Sequence, residues 1–181
     1  MRRAKTVTKI LIAVTASIAM VSTAHASCPT ANQYSFSFAS QAAATLNYAN
    51  SYTYTATSTA LGSQTFTVAW TTNGLSSSVA GGQQMPAISS LITDGTAARN
   101  LVVGGVFTGR TADVAGNSRV VVTRFTFAAP IRDFTIQLND IDFSANQFRD
   151  WLQVNGVTGA TSYDPSLSTP FGTNNTASGP H

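Results

Sequence analysis

Thr65-Phe66-Thr67-Val68-Ala69-Trp70 is the stretch that decides the fold, because every second residue is large and apolar and the residues between are small or hydroxylic. A strand points successive side chains to opposite faces, so this pattern predicts a strand with one buried face. The pattern recurs along the chain. Tyr34, Phe36 and Phe38 alternate with serines, and Tyr52, Tyr54 and Ala56 alternate with threonines. Residues 101–107, 120–127, 134–138 and 151–154 continue the series. Between these clusters lie the turn dipeptides Asn73-Gly74, Gly81-Gly82, Asp94-Gly95, Gly116-Asn117 and Asn155-Gly156. Short strands punctuated in this way predict an all-β fold, an antiparallel β-sandwich or jelly roll, rather than a parallel α/β sheet. Helical periodicity is scarce, and residues 40–46 or 87–92 are the stretches that fit a short helical connector.

Residues 1–26 read as a bacterial-type export signal. Arg2, Arg3, Lys5 and Lys9 precede an apolar run from Ile10 to Val21, and Ala24-His25-Ala26 supplies the small-x-small cleavage pattern. The run is too short for a permanent membrane span. Without it, six Arg stand against seven Asp, a formal balance of about −1, so the sequence pI near 9.4 largely describes the leader. The expected organisation is therefore a signal peptide over 1–26 and a β-sandwich domain over 27–156. Residues 157–181, rich in Gly, Ser, Thr, Asn and Pro, form either a flexible tail or the start of a remainder that would make the sandwich incomplete at its C-terminus.

The processed chain would carry no Lys, no Glu, one His (His181) and one Cys (Cys28). A Ser-His-Asp triad needs an imidazole near a nucleophile, and His-based or thiolate zinc sites need several such ligands, so these chemistries are disfavoured. Two Asp residues could still serve a glycosidase, but no spacing singles out an acid and a nucleophile. Cys28 lacks a partner within the chain, and His25-Ala26-Ser27 lacks the aliphatic residue of a lipidation signal. The six dispersed Arg form no basic stripe for nucleic acid.

The most patterned segment runs from Phe125 to Asp142, Phe-Thr-Phe-Ala-Ala-Pro-Ile-Arg-Asp-Phe-Thr-Ile-Gln-Leu-Asn-Asp-Ile-Asp. Pro130 cannot donate to a ladder and marks a corner between two strands. Phe125, Phe127, Pro130 and Ile131, followed by Phe134, Ile136, Leu138, Asp140, Ile141 and Asp142, resemble a sandwich module of bacterial secreted and surface proteins. A further Asp closes that motif, a place that Asp150 takes here. The resemblance covers about residues 120–156 and implies a fold and an extracytoplasmic location, the family being mostly without an assigned activity.

From the residues themselves, Asp140 and Asp142 share parity with Phe134, Ile136 and Leu138, so a continued strand aims both carboxylates toward the buried face. Uncompensated, that is costly. If the intervening loop returns Asp150 beside them, three hard oxygen donors suit Ca²⁺; otherwise the carboxylates cap loop amides or pair with Arg132 or Arg149. Tyr48, Tyr52, Tyr54, Trp70 and Trp151 could stack on sugar rings, although strand parity makes Trp70 a core residue by default. The expected function is a secreted structural or adhesive module of the cell surface or periplasm without catalytic activity. The alternative is a carbohydrate-binding module, with or without Ca²⁺ dependence. Surface polysaccharide or other surface proteins are the expected partners, with no membrane span after signal removal.

Overall fold

The computed structural model describes residues 8–15, 30–90, 98–108, 119–129, 131, 134–139, 143–144 and 148–164; residues 8–15, 30, 143–144 and 148–151 are described in backbone only. The described residues are almost wholly β. A seven-stranded sheet runs in the order β12 (Phe143–Ser144), β13 (Phe148–Thr158), β1 (Thr8–Thr15), β11 (Val120–Phe127), β4 (Gly62–Asn73), β3 (Tyr52–Ser58), with β14 (Thr161–Tyr163) also paired to β13. A three-stranded sheet holds β2 (Ala44–Thr45), β8 (Ala87–Ser89) and β9 (Asn100–Val102). Two further pairs join β5 (Leu75–Ser77) to β10 (Val106–Phe107), and β6 (Val79–Ala80) to β7 (Gln83–Gln84).

The deciding stretch lies in β4, where Gln64, Phe66, Val68 and Trp70 are buried and their neighbours are more exposed. Its partner β11 buries Val121, Thr123 and Phe125, and the antiparallel register sets Trp70 opposite Thr123, Val68 opposite Phe125 and Phe66 opposite Phe127. Opposed residues share a face, so both patterns feed one core. Leu46, Ile88 and Phe107, which lie in or beside the smaller sheets, join that core with Phe66, Val68, Trp70, Val121 and Phe125. Gln64 is tolerated there because its Nε2 donates to the Ala129 carbonyl at 2.7 Å.

Several local expectations are corrected. Residues 34–38 do not form a strand: Ser35 makes a single bridge to Thr57, and a 3₁₀ turn over Phe38–Ser40 follows, capped by Ser37. Their rings instead lie on the core, Phe36 standing 4.9 Å from Phe66 and 5.3 Å from Tyr54. Residues 41–46 and 87–90 are not helical, since β2 and β8 pair with each other there, and residues 91–92 lie outside the described residues. Residues 134–139 lack regular structure, whereas Thr8–Thr15 takes an interior place and runs parallel to both β11 and β13. An apolar, β-branched run can satisfy two sheet edges at once, and those two pairings are the exception to an otherwise antiparallel fold. Among the described residues, no helix is long and apolar enough to cross a membrane.

Candidate functional site

A cleft of about 430 Å³ opens between the segment after β2 and the β5 to β7 region. Asn47 and Tyr48 line one side, and Leu75, Ser76, Gln84 and Met85 are among the residues on the other. Leu46 anchors the first wall, its amide donating to the Pro86 carbonyl at 2.9 Å beyond the cis Met85–Pro86 bond. The second wall is held by Gly105, where a Cβ would meet Leu75 Cδ1 and the Ser77 carbonyl oxygen at 2.6 Å each. Only glycine lets β5 and the entry to β10 approach so closely.

Tyr48 ties the cleft to the rest of the fold. Its hydroxyl donates to the Gly104 carbonyl at 2.6 Å and accepts from the Gly104 amide at 2.9 Å. Burial pushes the phenol up to about 12, the bond to Gly104 opposing this only in part. The ring stands edge-on to Trp70 at 5.9 Å, and Tyr52 meets the same indole at 5.8 Å. Tyr54, raised from its ordinary range by burial and by neighbouring Tyr52, packs on Phe66 instead. Trp70 is a core residue at 9 % exposure. Thus Tyr48, Tyr52, Tyr54 and Trp70 form packed aromatic contacts, and the side chain of Trp151 lies outside the described residues.

Several polar groups of the cleft are engaged with the chain itself. Ser76 Oγ donates to the Val106 carbonyl at 2.8 Å, and Gln84 Nε2 donates to Ser78 Oγ at 2.8 Å and to the Met85 carbonyl at 3.0 Å. Asn47 Oδ1 accepts from the Ala49 amide at 2.9 Å. The lining carries no carboxylate, imidazole, thiol or ammonium group. Such a surface can exchange neutral hydrogen bonds with a hydroxyl-rich or amide ligand, but it offers no acid and base pair for proton transfer.

Of the carboxylates considered for Ca²⁺, Asp140 and Asp142 lie outside the described residues, and the backbone of Asp150 lies in β13 opposite Thr8. Arg132 is likewise outside them, and Arg149 pairs through its backbone with Phe143. The cleft was not foreseen from sequence. Gly81-Gly82 and Asn73-Gly74 marked its turns, but Ser76, Ser78 and Gln84 carry no apolar period that would have announced a wall. Compared with protein-family models, curated proteins and solved structures, the chain matches none of them.

Proposed function

We propose that this chain is an exported structural or adhesive module of the cell surface or periplasm that acts without catalysis. The observation that carries the reading is the use of the aromatic rings: Tyr48 and Tyr52 pack edge-on against Trp70, and Tyr54 packs tilted on Phe66, so the four rings form two groups on one core instead of a coplanar exposed row. A sugar platform needs an exposed ring face. The leader pattern over residues 1–26 supports export, and the hydroxyl-rich, nearly uncharged composition suits an extracytoplasmic β protein. The test is to express the full chain in an exporting bacterium, fractionate the cells and determine the N-terminus. Recovery outside the cytoplasm beginning at Ser27 is expected; an unprocessed cytoplasmic product would overturn it. Deleting the gene should then weaken surface attachment without removing a hydrolytic activity.

The cleft beside Tyr48 favours a second reading, recognition of a neutral carbohydrate through hydroxyls and amides. Glycan binding that is lost in Asn47→Ala or Gln84→Ala would favour it over the structural role. Dependence of that binding on Ca²⁺, read by calorimetry before and after chelation, would bring Asp140, Asp142 and Asp150 back as ligands.

A further inference from the structure

Residues 134–139 carry the alternation of a strand but form none, and the interior place that suits them is taken by Thr8–Thr15. β1 runs parallel to β11 and to β13, so β11 and β13 run parallel to each other. In the chain, residues 134–139 lie between those two strands. A segment joining two parallel strands through short connections on either side runs antiparallel to both, which is a β-meander.

A ring contact and strand parity agree on one register. The rings of Phe134 and Phe127 stand 5.4 Å apart, and an antiparallel pairing with those two residues level sets Ile136 beside Phe125 and Leu138 beside Thr123. β1 shows which residues of its two neighbours are level, since Ile12 lies between Thr123 and Val154, and Val14 lies between Phe125 and Gly156. Leu138 would therefore also stand beside Val154, and Ile136 beside Gly156. Parity agrees as well, because Thr123 and Phe125 are buried and Ile136, Leu138 and Val154 already pack against the core. Gln137 would take the place that Ala13 holds between Arg124 and Asn155.

We propose that when residues 1–26 are removed, residues 134–139 replace Thr8–Thr15 as an antiparallel strand between β11 and β13. Removal of β1 alone would leave two unpaired ladder edges inside the sheet, and this segment is tethered in the chain between the two strands that carry them. The leader strand thus holds the precursor in a pairing that differs from that of the processed chain. The inference rests on the reading above that the leader is cleaved.

The test places cysteines in a Cys28→Ser background, pairing Gln137→Cys with Arg124→Cys in one variant and with Asn155→Cys in another. Directly opposed positions in an antiparallel pair bring Cβ atoms within about 4.5–5.5 Å, close to disulfide geometry. Both disulfides should form at least about tenfold faster in the processed chain than in a full chain whose cleavage is blocked by Ala24→Leu and Ala26→Leu. Hydrogen exchange on the processed protein without added cysteines should show residues 134–139 protected. The proposal is overturned if neither pair closes and those amides exchange freely. Closure of an Arg124→Cys, Asn155→Cys pair would overturn it too, because β11 would then abut β13, as would a processed dimer in which a second copy fills the gap. The processed chain can also be produced directly from Ser27, so a failure of export, seen in the N-terminus and mass, stays distinct from a failure of the exchange.

Discussion

Thr123 and Trp70 stand opposite each other across β11 and β4, and each carries a buried polar atom without a hydrogen-bond partner, Oγ1 on one and Nε1 on the other. The period of two explains their meeting: both residues sit at inward positions, next to the buried Val68, Val121 and Phe125 of the same strands. A buried hydroxyl left unpaired costs about 1–3 kcal/mol. Thr123→Val keeps the β-branched shape and deletes that hydroxyl, so it should raise stability by about 1 kcal/mol, a shift in melting temperature of about 2–4 °C for a chain of this size. A lower melting temperature would mean that the hydroxyl has a partner.

The Tyr48 hydroxyl makes the opposite prediction. Tyr48→Phe strands both the amide and the carbonyl of Gly104, and should lower stability by about 1–3 kcal/mol with an unchanged denaturant slope. The pH dependence carries a definite sign. Because the folded phenol is raised to about 12 from an unfolded value near 10, the native state retains its proton longer. The associated stability is complete below about pH 10 and is lost as pH rises toward 12. Urea titrations across that range should show a decline that is shallower in Tyr48→Phe, and equal slopes would remove Tyr48 as its source.

Gly105 and Gly159 both take a positive φ, +154° and +57°, and differ in the room around them. An added Cβ at Gly105 would press on Leu75 Cδ1 and on a backbone carbonyl that has little room to retreat, whereas Gly159, at φ +57°, has nothing within 4 Å of its would-be Cβ. Gly105→Ala should cost about 1–3 kcal/mol and loosen the β5 to β10 pairing in hydrogen exchange. Gly159→Ala should cost only the left-handed backbone penalty, about 1–2 kcal/mol, and leave that pairing protected. Intact β5 to β10 protection in Gly105→Ala would refute the close-approach account.

What alternation revealed was which face of a segment is buried; it was silent on which neighbour completes the ladder. Phe66, Val68 and Trp70, with Val121 and Phe125, were legible as core because burial repeats every second residue there. Phe36 was legible as apolar but not as an aromatic cover: its ring packs on Tyr54 and Phe66, and its segment makes only the Ser35 to Thr57 bridge. Tyr48 was noted as an aromatic, yet its bond to Gly104 spans 56 positions of sequence and leaves no local periodic mark. Asp140 and Asp142, the most chemically suggestive residues of the chain, fall outside the described residues, so Ca²⁺ there is a matter for titration.

Leu138 turns the strand exchange into a comparison of stabilities. Phe66, 5 % exposed and central to the core, should cost about 3–5 kcal/mol when changed to Ala in either form of the protein, because the lost burial and the remaining cavity add. Leu138 is only half-buried in the full chain and belongs to no ladder, so Leu138→Ala there should cost about 1 kcal/mol. In the processed chain the same residue would stand between Thr123 and Val154 on the inward face, and the cost should rise to about 2–5 kcal/mol. Denaturant midpoints of four proteins, two substitutions in two forms, decide the matter. The Phe66→Ala loss controls for any general change in stability on removing the leader, so only a Leu138→Ala loss that grows relative to it reports a new place in the sheet. Equal Leu138→Ala losses in the two forms would mean that residues 134–139 stay outside the ladder after cleavage, leaving β11 and β13 to find another partner.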